Sequence, residues 1–194
     1  MSGTGLVTAL KAGSADITAA AGGQTGRRTV QVALARFRVT LSAQSVTALG
    51  TCDDFTQGLT NGEFAVKVLA VAPGGVTETL VETPGYPGNP ASLQAFILSE
   101  GETQSLNQSA SFTLNGETGQ FVRAQFHATE WDEQIVIFPP SIRWIHEDRM
   151  SDASTSRTHS YVNGTFSSLG PNTLTIGNSS CGLRLNYSVA VVPQ

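Results

Sequence analysis

Apolar residues in this chain recur at every second position, in short runs, almost from end to end. In "ARFRVTLSAQSVTAL" (residues 35–49), Phe37, Val39 and Leu41 alternate with Arg36, Arg38 and Thr40. In "EFAVKVLAV" (63–71), Phe64, Val66 and Val68 alternate with their neighbours. A β-strand turns successive side chains to opposite faces, so this period marks strands with one buried face. The series continues through "LVTAL", "ADITAA", "RTVQVAL", "TETLVET", "LQAFIL", "QSASFTLN", "GQFVRAQFHATEW", "QIVIF", "SIRWIHE", "HSYVNGTFS", "NTLTIG" and "GLRLNYSVAVV". Turn material such as "KAGS" and "GGQTGR" separates the runs, and no window of helical length carries a 3.6-residue stripe. Many short strands at this spacing predict an all-β fold, an antiparallel β-sandwich.

Composition narrows the function classes. Hydrophobic residues are 40% of the 194 and charged residues only 13%. That is too apolar for a disordered chain and too poor in charge for a helical one. A net charge of −4 with no basic run argues against a nucleic-acid partner. No stretch reaches the ~18 consecutive apolar residues of a membrane span. The first twenty residues lack the basic start and apolar core of a signal peptide.

Two cysteines, Cys52 and Cys181, stand near the two ends of the larger strand series. Neither has a CxxC or a neighbouring His, so metal and redox roles are poorly supported. The expectation is a Cys52–Cys181 disulfide, and with it an extracellular location; two buried thiols in a reducing compartment are the alternative.

Composition changes near residues 33–36. Before that point Ala and Gly prevail and aromatics are absent; from Phe37 onward aromatics recur. The expected division is a partial module at 1–35 and a sandwich domain at 36–194. Within the larger part, "VETPGYPGNPAS" (81–92) and "EDRMSDASTSRT" (147–158) read as surface loops, the second as a mobile one.

Residues 3–32, "GTGLVTALKAGSADITAAAGGQTGRRTVQV", resemble the C-terminal half of a bacterial immunoglobulin-like domain of group 2. The likeness rests on Gly5-Leu6-Val7-Thr8-Ala9, the Lys11-Ala12-Gly13 turn, Ile17-Thr18-Ala19 and the closing Thr29-Val30-Gln31-Val32. The first half of that family's domain, with its "sVtW" strand, is missing. The resemblance implies a stalk or spacer module of the kind found in surface, adhesive and phage virion proteins, and it transfers no catalytic residue. A few strands of a sandwich leave an apolar face and open edges. The chain is therefore expected to be a fragment of a longer protein, or to complete its sheet with another chain.

The larger part gathers carboxylates in three places: Asp53 and Asp54; Glu130, Asp132 and Glu133; and Glu147, Asp148 and Asp152. Each cluster follows a strand signal, and "EWDE … EDRMSD" is similar to the acidic loops of C2-type calcium-binding sandwiches. The spacing is longer than that family's and no single loop has D-x-D. Hard calcium takes six to eight oxygen ligands, which such loops supply, so Asp53, Asp54, Glu130, Asp132, Glu133, Asp148 and Asp152 form the candidate calcium set. Ordinary solvated turn acids are the plainer reading.

Catalytic signatures are missing. "HEDRM" places Met150 where H-E-x-x-H needs its second His, and no EF-hand, G-x-S-x-G, G-x-G-x-x-G or P-loop occurs. His127, His146 and His159 are scattered and read as surface or satisfied core residues. Glu63 could pair with Glu130 as a glycosidase dyad, and sequence sets no distance between them. Asn107, Asn163, Asn178 and Asn186 open N-x-[ST] sequons. Trp131, Trp144, Tyr86 and Tyr161 could line a sugar-binding face, with core packing the safer assignment. The expected function is a non-enzymatic structural or adhesive β-protein of a bacterial cell surface or secreted assembly. Its expected partners are copies of itself, other structural proteins of that assembly, or surface glycans. The alternatives are a phage virion protein, in a tail or capsid decoration, and a carbohydrate-binding module of a secreted enzyme.

Overall fold

The computed structural model describes residues 12–52, 61–84, 86, 95–138, 141–162 and 164–194; for 51, 61, 131–138 and 141–152 only the backbone is described. Among these residues twelve strands run β1 (Gly13–Ala21), β2 (Gln24–Val32), β3 (Arg36–Thr51), β4 (Asn61–Val71), β5 (Thr77–Glu82), β6 (Phe96–Ser99), β7 (Thr103–Asn115), β8 (Phe121–Phe138), β9 (Ser141–Val162), β10 (Thr165–Phe166), β11 (Gly170–Gly177) and β12 (Cys181–Pro193). Every pairing is antiparallel, as the all-β expectation required. One sheet has the order β10-β9-β8-β4-β5, with β6 also on β4; a second has the order β11-β12-β3-β7; β1 and β2 form a hairpin paired to neither.

The two larger sheets close over a single core. Val39, Leu41 and Ala43 of β3 are buried against Phe64, Val66 and Val68 of β4 and Val122, Ala124 and Phe126 of β8. The polar partners of these residues in the alternation, such as Arg36 and Arg38, are exposed. β12 contributes Leu183, Leu185, Tyr187 and Val189 at strict two-residue spacing. In β3 the buried positions change parity, from Val39, Leu41 and Ala43 to Val46 and Ala48. A β-bulge explains the change: Ala43 pairs with Tyr187 and Ser45 with Asn186, so Gln44 is an extra residue with no opposite number. Inserting one residue restores the inward direction that the next step would otherwise lose.

The merging of short runs into long strands is a correction to the sequence reading. "GQFVRAQFHATEW" and "QIVIF" are one strand, β8, and residues 147–158 are the middle of β9, not a mobile loop. β8 and β9 pair continuously from Phe121–Ser160 to Phe138–Ser141, apart from bulges around Glu130. Their backbone groups satisfy one another whatever the side chains are, so a Ser/Thr- and Asp-rich stretch can be strand without an apolar stripe. Most of the proline-rich stretch lies outside the described residues. Its first part is anchored by Thr83, whose buried hydroxyl accepts from the Val66 amide at 2.9 Å while the Thr83 amide donates to the Val66 carbonyl.

Cys52 and Cys181 form a disulfide joining the end of β3 to the start of β12 across 129 positions. The backbone is crowded here. A Cβ on Gly50 would lie 2.3 Å from the Ser180 carbonyl, so only glycine lets the 178–181 turn approach. That turn is held by the Asn178 side-chain oxygen, which accepts from the amides of Ser180 and Cys181. Closing so long a loop removes chain entropy worth roughly 4–5 kcal/mol as an upper figure. Intact-mass measurement should therefore show a gain of two hydrogens on reduction, with a large fall in melting temperature. Two alkylatable thiols in the native, unreduced protein would contradict the bond.

Candidate functional site

The sequence-selected carboxylates that the structure describes lie in strands, not in loops. Asp53 and Asp54 lie outside the described residues. Asp132 and Glu133 sit in β8, and Glu147, Asp148 and Asp152 in β9, so the expectation of acidic loops after strands is corrected to an acidic segment of a strand pair. The ladder sets Asp132 opposite Glu147, Asp148 opposite Trp131 and Glu133 opposite His146. Glu130 is different: it is fully buried in β8, opposite Phe64 of β4 and Met150 of β9. Among the described residues no group of three or more His, Cys, Asp or Glu side chains could hold a metal ion. Glu63 pairs with Ile97 on β6 while Glu130 pairs across β4 with Phe64, which places the two acids at adjacent rungs of β4.

The three histidines are separated. His127 lies in β8 between Lys67 and Ser154, His146 lies opposite Glu133, and His159 is fully buried in β9. Tyr161 is also buried; its ring packs 5.4 Å from Phe37 and 5.2 Å from Phe166, so it belongs to the core rather than to a sugar-binding face. Asn107 occupies a left-handed backbone position (φ 51°), Asn178 holds the turn at Cys181, and the Asn186 amide donates to Ser45 at 3.0 Å. Asn163, Trp131 and Trp144 are outside what is described at side-chain level.

A polar pair that bridges the two sheets was not singled out by sequence. His159 of the six-stranded sheet meets Tyr187 of the four-stranded sheet, with 3.0 Å between Nε2 and the phenolic oxygen. Its Nδ1 lies 3.2 Å from the Ser167 carbonyl. A carbonyl only accepts, so Nδ1 carries the proton and Nε2 accepts from the Tyr187 hydroxyl. The pair is neutral, and each partner satisfies the other. Burial lowers the His159 pKa, helped by the charge of Arg157 and opposed by the Ser167 and Ser168 carbonyls. Burial raises the Tyr187 pKa to about 12, with Arg157 acting in the opposite direction. Arg157 itself donates to the Asn172 side chain at 3.1 Å, tying β9 to β11. The inward parity of Leu183, Leu185, Tyr187 and Val189 was readable in sequence; the partner on the other sheet was not. With both side chains enclosed, this arrangement clamps the sheets together and offers no exposed group to a substrate.

No protein-family model and no curated protein sequence matches this chain. Among solved structures, the chain is similar to human GIVD cytosolic phospholipase A2 in complex with methyl gamma-linolenyl fluorophosphonate inhibitor and terbium chloride. The TM-score is 0.36 at 8% identity, over 84% of this chain and 18% of that one. A structure described as a C2 domain gives a TM-score of 0.27 at 12% identity, over 80% of this chain and 98% of that one. The chain thus spans under a fifth of the phospholipase. At these scores neither likeness carries weight, and the all-β fold stands on the strand pairing itself.

The clamp sets a pH dependence. The folded-state pKa of His159 is below its unfolded value, so the unfolded chain takes up the proton first. Stability is therefore full above about pH 6.5 and is lost as pH falls through the folded pKa. For Tyr187, stability is lost as pH rises above about 10, toward its folded value of about 12. Melting curves between pH 4 and 8 should show the acid loss, and His159→Gln should flatten that part of the profile while lowering stability at neutral pH. An unchanged acid slope in H159Q would remove His159 as its source.

Proposed function

We propose that the protein is a non-enzymatic structural or adhesive component of a bacterial surface or secreted assembly, associating with copies of itself. The observation that carries this reading is the β1–β2 hairpin. Its register sets Ala15 opposite Val30, Gly13 opposite Val32 and Ile17 opposite Arg28, on one face. The other face carries Asp16, which accepts from Arg27 and from Thr29, the latter at 2.6 Å. Ala15 and Ala19 are exposed, and Ile17, Val30 and Val32 are only half-buried. A two-stranded ribbon is marginal by itself, and an apolar face of this kind is completed by other protein surface.

The spacer resemblance of residues 3–32 agrees with this role, with Gly5–Ala9 and Lys11 outside the described residues. The disulfide supports an oxidising compartment. No helix among the described residues is long and apolar enough to cross a membrane. The division at residues 35 and 36 belongs to the same reading, with the hairpin as part of a spacer-like unit and the sandwich as the second unit.

Sedimentation of the full chain should show concentration-dependent association, and Ile17→Lys, which sets a second positive charge opposite Arg28 on this face and removes its largest apolar side chain, should reduce it. Identical behaviour of wild type and I17K would defeat the hairpin as an associating surface. Calcium belongs to the proposal through the acidic positions of β8 and β9, where the backbone register sets Asp132 opposite Glu147. Millimolar calcium should raise the melting temperature more than magnesium does. No shift would leave these carboxylates as ordinary surface groups.

A further inference from the structure

Sheet edges that stay monomeric in water carry charges or proline, or are very short. Most edges of this molecule follow that rule. β5 has Glu78 and Glu82, β11 has Pro171, β1 has Asp16, and β2 has Arg27 and Arg28. β9 carries Arg143, Glu147, Asp148, Arg149, Asp152 and Arg157 along its length. β6 and β10 are four and two residues long. β7 is the exception. It is the terminal strand of its sheet and runs for 13 residues, "TQSLNQSASFTLN", without a charge or a proline.

β7 pairs with β3 on one side, and among the described residues no strand hydrogen-bonds to the other. A bulge at Leu106 and Asn107 interrupts it, since Gln108 pairs with Ala43 and Ser105 with Ser45. From Gln108 to Asn115 the strand is regular. Ala110, Phe112 and Leu114 turn toward the core, while Ser109, Ser111 and Thr113 are exposed. Ser111 shares a 2.8 Å hydrogen bond with Thr40 of β3, extending the row of hydroxyls inward.

We infer that the β7 edge is a second self-association surface, where residues 108–114 pair antiparallel with the same residues of another copy about a two-fold axis at Ser111. The inference builds on the self-association reading above and adds an interface separate from the hairpin. The occupant is a second copy because an isologous contact sets each edge against itself. Two uncharged β7 edges meet without repulsion or buried charge, whereas β5 or β9 would bring carboxylates and guanidinium groups into the ladder. Directly opposite residues in an antiparallel pair share a face. An axis at Ser111 therefore sets Ser111 against Ser111 and Ser109 against Thr113, a cluster of hydroxyls at the junction that joins the two four-stranded sheets into one of eight strands.

The test uses the full-length chain in the Ile17→Lys background, so that the hairpin face does not contribute. Sedimentation velocity should show I17K as a concentration-dependent dimer. Adding Ser111→Lys or Ser111→Glu should each weaken that dimer by at least about tenfold through like charges at the axis. A one-to-one mixture of the two should restore it, which loss of folding could not mimic. Thr175→Lys on the far edge, β11, should leave the dimer as it was. A monomeric I17K, a dimer that persists in I17K/S111K, or a mixture that stays monomeric would each overturn the β7 interface. The hairpin reading is judged separately, by whether I17K differs from wild type.

Discussion

The pairing of β3 with β12 organises the sandwich. The two strands come from opposite ends of the larger sequence series, yet they lie side by side from Phe37–Pro193 to Thr51–Cys181. Each supplies one row of the core, and two bulges keep those rows facing inward over a length that uninterrupted pairing would misalign. The disulfide at the end of this ladder fixes its register covalently. Moving β3 by one residue would turn Val39 and Leu41 to solvent, and the core shared with β4 and β8 would be lost.

Among the described residues the contact between the sheets is mostly apolar, and the His159–Tyr187 pair is a polar contact that bridges them. Apolar packing tolerates sliding at small cost, whereas a hydrogen bond between two enclosed side chains has one good geometry. The pair therefore adds orientation to the adhesion that the core supplies. It also confines its own benefit to a pH range, because protonating the imidazole turns the acceptor that Tyr187 needs into a donor. Arg157 and Asn172 act beside it on the surface, holding β9 and β11 together.

Polar and apolar groups are distributed so that the interior is closed while parts of the exterior are not. The hairpin of β1 and β2 has an ion-paired polar face and an incompletely covered apolar one. The edge of β7 has neither charge nor proline, while the other long edges have one or the other. These two features are the ones on which the proposed self-association rests, since exposed apolar faces and uncharged edges invite pairing.

Period-two alternation by itself determined the all-β class, the antiparallel character and most of the core, because side-chain direction in a strand follows from backbone geometry alone. Val39, Leu41, Phe64, Val66 and Val68 were legible on that ground, and so were Cys52 and Cys181 as partners near the two ends of one domain. Strand length was not legible. Residues 147–158 have no apolar stripe, and only the ladder with β8 makes them strand, since backbone pairing is blind to composition. The parity change in β3 was hidden for a related reason: a bulge is defined by the partner strand. Tertiary structure alone decided that His159 meets Tyr187 and that β7 ends a sheet. Both depend on which strands become neighbours, and a local pattern of residues carries no information about a strand far away along the chain.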